Sequence, residues 1–189
     1  EQIDALMDGG EVLKDGNTCY VCRLTWNGKD VVVKRYNHKG VVHSLRHTIK
    51  RSRARQGWLH AHRLGMLHIA TPRPLAYIEQ LKGLIVWKSY LVTEHVEGQK
   101  LDCFLRDEDI SQEQRSDTTR RVMELLEKLG KYRITHGDLK HSNLLITEDG
   151  PVLIDLDAMV VHKIGWISAW KGRTYVSRFK ESLEASPVY

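Results

Sequence analysis

The feature that most restricts the folds open to this chain is a polar loop backed by a short apolar hairpin. His136-Gly137-Asp138-Leu139-Lys140-His141-Ser142-Asn143 forms a polar stretch downstream of a helical one. Two short apolar runs come next, Leu144–Thr147 and Val152–Ile154, around the turn Glu148-Asp149-Gly150-Pro151. They read as a hairpin. Its second strand runs directly into Asp155-Leu156-Asp157, with Asp155 twelve residues after Asn143.

The rest of the chain divides into two halves. The first hundred residues read as strands with one helix. Thr18–Leu24 and Asp30–Tyr36 are β-branched-rich, and Trp26-Asn27-Gly28-Lys29 joins them as a tight turn whose Gly sits where φ > 0 is needed. A helix is predicted over Ser44–Leu64, with Leu45, Ile49, Trp58 and Leu64 among its few apolar positions. Pro72 and Pro74 punctuate the chain before two more strands, Leu75–Glu79 and Ser89–Glu94, which flank a turn near Lys82-Gly83. Glu94–Gln99 is a connector. Ser111 and Gln114 then match a capping box. The helix after it lines up Val122, Leu125, Leu126 and Leu129 and stops near Gly130. The tail, Val160–Tyr189, is basic and carries Trp166 and Trp170. This order predicts an α+β chain in two lobes. The N-lobe, residues 1–93, is mainly antiparallel β plus a helix; residues 94–98 are a hinge; residues 99–189 are a small, mainly helical C-lobe.

Charge narrows the partners. The net charge of +5 hides a split, because Val31–Ile78 contains ten Lys/Arg and no Asp or Glu. The remainder holds 19 Lys/Arg against 24 Asp/Glu. A +10 block predicts an anionic partner: nucleic acid, a phosphorylated substrate, an acidic protein or a membrane surface. Nucleic acid ranks last, since only Tyr36 and Trp58 offer stacking groups among the basic residues. No apolar run approaches a membrane span, and Glu1–Glu11 lacks the basic-then-apolar pattern of a signal peptide. Three Cys cannot make a disulfide framework, so a reducing cytoplasm is expected. Cys19 and Cys22 form C-x-x-C without a second pair and are predicted to be buried thiols. His43 and His47 have helical spacing, but their cationic surroundings disfavour a metal.

Val31-Val32-Val33-Lys34 places a lysine at the end of a strand. With the loop and Asp155, it supplies the parts that phosphoryl transfer needs. The transferred group requires positioning and charge neutralisation more than covalent help. Two carboxylate or amide oxygens hold Mg²⁺, a third carboxylate orients the acceptor hydroxyl and takes its proton, and a lysine grips the phosphates.

The loop resembles the H-[RG]-D-x-x-x-x-N motif of the protein-kinase-like superfamily, with Gly137 where most protein kinases carry Arg. A narrower likeness joins V-V-V-K-R-Y (Val31–Tyr36), the basic run Arg51–Arg55, A-T-P-R-P-L (Ala70–Leu75), L-V-T-E-H-V-E-G (Leu91–Gly98) and I-D-L-D (Ile154–Asp157). Over roughly Glu11–Asp157 these are similar to the bacterial lipopolysaccharide kinases, the Kdo kinases and WaaP-like heptose kinases. The resemblance implies a bilobal kinase fold that uses ATP and Mg²⁺ to phosphorylate a sugar of the lipopolysaccharide inner core, peripheral to the cytoplasmic face of the inner membrane. By the same resemblance Asp138 is the catalytic base and Lys140 lies near the γ-phosphoryl. Asn143 and Asp155 are the Mg²⁺ ligands, and Lys34 is the nucleotide-phosphate lysine. Glu94 and Val96 offer main chain to adenine, and Gly16 and Asn17 cover the phosphates. Apart from the resemblance, His136 is expected to hold the loop, and Asp157 to brace it or to serve as a third carboxylate at the metal site.

There are departures. No acid lies between Lys34 and Glu79, so the usual helix Glu has no counterpart, and Gln56 or Asp155 is expected to substitute. Lys14-Asp15-Gly16-Asn17-Thr18 has one Gly rather than three. No A-P-E-like segment comes after Asp155, which favours a small or lipid-linked acceptor. An atypical protein kinase and a nucleotide-binding pseudokinase are the competing expectations.

Overall fold

A computed structural model describes residues 2–37, 52–83 and 85–163, with Ser177 and Phe179. The chain divides into two compact units: Glu1–Gly65 with Pro72–Val96, and Met66–Thr71 with Glu97–Tyr189. Part of the basic run (Lys39, Arg46, Lys50, Arg51), the His43/His47 pair and the Trp166/Trp170 tail lie outside the described residues.

The first unit is a five-stranded antiparallel sheet in the order β1-β2-β3-β5-β4. Its strands are β1 (Glu11–Gly16), β2 (Cys19–Trp26), β3 (Lys29–Tyr36), β4 (Pro74–Lys82) and β5 (Ile85–Glu94). Asn27 and Gly28 make the β2–β3 turn at φ 49° and 74°, the left-handed pair that matches strand twist. Pro74 is tolerated because it opens an edge strand, where no ladder donor is required of it.

Each face of this sheet is covered by a helix. On one face α1 (Gln2–Asp8) drives Met7 into Cys22, Val31, Val33 and Tyr90. On the other, α2 (Arg53–Met66) places Ala54 against Cys19 and Tyr36, while Trp58 meets Tyr77 edge-on at 5.4 Å. Cys19 and Cys22 are both buried and belong to these two different clusters. Residues three apart on a strand face opposite ways, so the C-x-x-C pair cannot share a ligand. The described part of the basic helix starts at Arg53 and continues to Met66, two residues past the predicted end. Ser52 Oγ receives the Arg55 N–H at 3.1 Å and donates to Glu79 at 2.5 Å, tying the start of α2 to β4.

The second unit comprises β6 (Gln99–Lys100), α3 (Leu101–Arg106), α4 (Gln112–Lys131), β7 (Ile134–Thr135), β8 (Leu144–Thr147), β9 (Gly150–Leu153) and β10 (Val160–Val161). The capping box is complete: Ser111 Oγ accepts the Gln114 N–H at 3.2 Å, and Gln114 Oε1 accepts the Ser111 N–H at 2.9 Å. α4 buries Val122, Leu125, Leu126 and Leu129 as its periodicity requires. It stops where Arg133 turns left-handed (φ 57°) and returns its N–H to Gly130 at 2.9 Å. β6, β8 and β9 form one small sheet, and β10 pairs with β7 in another. The predicted hairpin is present, with its second strand starting at Gly150 rather than Val152. α1, α3 and the two-residue β7–β10 pairing have no clear local signature in the sequence.

Candidate active site

The loop 136–143 is held at both ends by the segment just past the hairpin. Ile154 donates its N–H to the Asn143 carbonyl at 3.0 Å. His136 Nε2 meets the Ile154 carbonyl at 2.9 Å. A carbonyl only accepts, so Nε2 carries the proton. Burial pushes the His136 pKa down, against the opposing pull of that carbonyl and of the Asp155 and Asp138 charges, so the ring is neutral at pH 7. His136 is thus a loop-holding residue, 4% exposed. The β7–β10 pairing clamps the other side, with Thr135 opposite Val160.

Gly137 explains the form of the motif. Its φ is +79°, and a Cβ built there would lie 2.2 Å from the Ala158 carbonyl oxygen. No side chain fits, so the Arg common at this position in protein kinases is sterically excluded here.

This framework brings three of the expected site residues into contact. Lys140 Nζ lies 2.9 Å from Asp138 Oδ2, and both side chains are about half exposed. The Asn143 amide nitrogen donates to the Asp138 carbonyl at 2.8 Å and reaches Oδ2 at 3.3 Å. With its NH₂ turned to Asp138, Asn143 has its amide oxygen as the atom to offer a cation. Asp155 directly succeeds the residue that grips Asn143 and adopts φ 60°, ψ 59°. Asp tolerates this left-handed conformation better than most residues, at a cost the surrounding contacts must cover. Among the described residues no three His, Cys, Asp or Glu side chains converge on a metal position. One amide oxygen and one carboxylate nevertheless suit Mg²⁺, which keeps several waters and shares phosphate oxygens instead of filling an all-protein cage.

His141 is half-buried beside this group, edge-on to Phe179 with ring centroids 4.9 Å apart. Burial lowers its pKa, with Asp102 raising it and Arg106 lowering it further. Asp157 lies in the short 3₁₀ turn Leu156–Ala158.

The remaining expected residues lie on the five-stranded sheet. Lys34 sits on β3 between Val21 and Leu91, residues of the cluster that faces α2, with Nζ 5.0 Å from the Tyr36 ring centroid. Arg53 stacks on the same ring at 4.6 Å, so α2 brings a cation to Tyr36 where a protein kinase brings a Glu to its lysine. Gly16 pairs with Cys19 at the β1–β2 turn, and Asn17 is exposed in that turn. Glu94 pairs with Val31, and its carboxylate meets Arg73 at 2.6 Å. The N–H groups of Glu94 and His95 are engaged by the carbonyls of Arg73 and Asp30, both at 3.0 Å. Val96 comes next in extended chain, half-buried. Sequence reasoning missed Arg73, whose side chain and main chain both anchor Glu94; its place in A-T-P-R-P-L was the available signal.

No curated protein matches the chain. Among solved structures, one described as WaaP in complex with acyl carrier protein is 19% identical. The match covers 86% of this chain and 67% of that one, with a TM-score of 0.60, and so shows a shared fold. The sequence model of the lipopolysaccharide kinase (Kdo/WaaP) family matches residues 7–166. The chain therefore belongs to the lipopolysaccharide kinase (Kdo/WaaP) family and is a phosphotransferase acting on lipopolysaccharide sugar.

Proposed function

We propose that this kinase transfers the γ-phosphoryl of ATP, with Mg²⁺, to a hydroxyl of a Kdo or heptose residue in the lipopolysaccharide inner core. The observation that carries the reading is the Asp138–Lys140–Asn143 contact, which joins a half-exposed carboxylate and ammonium to the buried Asn143 amide. Asp138 orients the sugar hydroxyl and takes its proton as that oxygen bonds to the γ-phosphorus, whose bond to the β–γ bridging oxygen breaks to release ADP. Lys140, paired with Asp138 in the resting loop, swings its charge to the transferring phosphoryl. Asn143 and Asp155 hold the metal, which when bound neutralises phosphate charge. Lys34 grips the α- and β-phosphates as a point charge. With the Glu94 and His95 N–H groups spent within the lobe, the Glu94 carbonyl and the Val96 N–H read the purine edge. Gly16 and Asn17, at the β1–β2 turn, cover the phosphates.

Among the described residues no helix is long and apolar enough to cross a membrane. On this reading the enzyme is peripheral, at the cytoplasmic face of the inner membrane. The solved WaaP structure holds acyl carrier protein, and the excess of Lys and Arg over residues 31–78 of this chain suits an acidic protein as well as an anionic glycolipid.

The test is transfer of labelled γ-phosphate into Kdo–lipid A and, separately, into heptose-containing inner core. Asp138→Asn is expected to lower the rate by about 10²–10⁴. Undiminished transfer by that variant would remove Asp138 from the chemistry. Transfer into neither glycolipid, with ATP still bound, would sink the acceptor.

A further inference from the structure

We infer that the β4–β5 hairpin is a membrane-docking arm, with its tip seated in the interfacial region of an anionic phospholipid bilayer. This rests on the proposed lipid-linked acceptor and adds where the enzyme meets the lipid.

The arm is defined by topology. β3 pairs with β5 only from Val31↔Glu94 to Tyr36↔Ser89. Beyond Ser89, β5 pairs with β4 alone among the described residues, through Gln80↔Lys88, Leu81↔Val86 and Lys82↔Ile85. A two-stranded ribbon therefore extends past the third strand. Its turn residue Gly83 has φ +60°, and a Cβ built there meets nothing within 4 Å among the described residues.

The composition of this extension does not suit water. Its described residues, Leu81-Lys82-Gly83 and Ile85-Val86-Trp87, are apolar apart from the lysine and glycine. Leu81 is 59% exposed, and Ile78, closer to the base of the arm on the same edge strand, is 43% exposed. Adjacent strand residues point to opposite faces, and cross-strand partners share a face. Leu81 and Val86 therefore occupy one face of the ribbon, and Lys82 and Ile85 the other. Each face thus carries apolar side chain at the tip, Leu81 with Val86 on one and Ile85 beside Lys82 on the other; a partner protein would cover one face, whereas lipid can meet both.

Charge selects an anionic surface. No Asp or Glu occurs between Gln80 and Thr93, and Lys82 stands at the tip, while Lys88, farther from it, is engaged by Asp4. Lys82 Nζ lies 3.9 Å from the centroid of the Trp87 indole. A Trp with a lysine beside it suits the headgroup level, where the ring meets the acyl boundary and the ammonium meets phosphate. Penetration stays shallow, because the open ribbon edge carries main-chain groups that hydrocarbon cannot satisfy.

The experiment uses the full chain and sedimentation with phosphatidylethanolamine/phosphatidylglycerol vesicles, without nucleotide or acceptor. The wild type is expected to bind, and more weakly as salt rises or phosphatidylglycerol is removed. Leu81→Glu and Trp87→Ala should each weaken binding by about tenfold or more. Both variants should retain wild-type phosphoryl transfer to delipidated core oligosaccharide, and circular dichroism checks their fold. Should Trp87→Ala misfold, Leu81→Glu, at an exposed position, carries the test alone. Wild-type failure to bind vesicles would overturn the arm, as would equal binding by the variants. Concentration-dependent self-association abolished by Leu81→Glu, without vesicle binding, would overturn it in favour of a protein contact. Because vesicle binding needs no catalysis, its failure is separable from failure of the kinase reading, which shows only in transfer.

Discussion

Single residues decide the geometry of the site through contacts that allow no substitution. Gly137 is the clearest case. Its left-handed φ and the 2.2 Å approach of the Ala158 carbonyl to a would-be Cβ mean that Ala must displace backbone. Gly137→Ala is expected to destabilise the protein by at least about 2 kcal/mol, strain and clash together, and to lower transfer by shifting Asp138. Gly28→Ala is the matched control, with φ +74° but nothing within 4 Å of its Cβ. It should cost only about 1–2 kcal/mol. Urea melts of both variants measure the difference, and equal costs would show that the Ala158 contact relaxes freely. The candidate residues Asp138, Lys140 and Asn143 were legible in the sequence as members of one short polar loop, and Asp155 as the residue that ends the hairpin. The left-handed backbone of Asp155 and the Gly137 contact were not, since Ala158 meets Gly137 only after the hairpin has closed.

Whole elements show a similar division. The Asn27-Gly28 turn and the Ser111–Gln114 capping box were readable because each is satisfied within a few residues. The α1 helix was not. Seven residues are too few to hold a helix in water, and α1 is fixed by contacts made far along the chain. Asp4 receives Lys88 at 2.7 Å, Arg35 at 2.9 Å and the Tyr90 hydroxyl at 3.1 Å. Burial would raise the Asp4 pKa, but these three donors outweigh it and hold the carboxyl below its ordinary value. A depressed carboxyl pKa contributes stability that is present above the unfolded value, about 3.9, and lost as pH falls through the folded one. Asp4→Asn should therefore cost about 1.5–3 kcal/mol near neutral pH, and the wild-type and variant curves should converge in strong acid. Tyr90 has the opposite sign: burial, then the Asp4 charge, pushes its phenol up to about 12. Its contribution is full below the unfolded value and is lost only as pH rises through about 12. Denaturant melts across a pH series test both arms, and a constant gap between wild type and Asp4→Asn in acid would refute the latch.

At the scale of the whole molecule, bound nucleotide should stabilise the fold by mass action. Mg²⁺ with ATP at about a hundred times Kd adds about 2.7 kcal/mol, a rise in melting temperature of about 5–10 °C. Asp155→Asn should lose the part of that rise that chelator removes, as differential scanning fluorimetry can track. An unchanged magnesium-dependent shift would take Asp155 out of the metal set. The α+β class was legible from the change of periodicity along the chain, and the family came from motifs read in order. By itself the sequence determined which residues are candidates for the chemistry, where strands turn and where the long helix begins, because spacing, turn residues and caps act over a few positions. Only the tertiary structure decided that α1 latches onto the sheet, that α2 brings Arg53 rather than an acid to Tyr36, and that the β4–β5 hairpin outruns β3. Each of these depends on partners far apart in sequence, as Asp4 and Tyr90 are, which meet only when burial of a shared core draws them together.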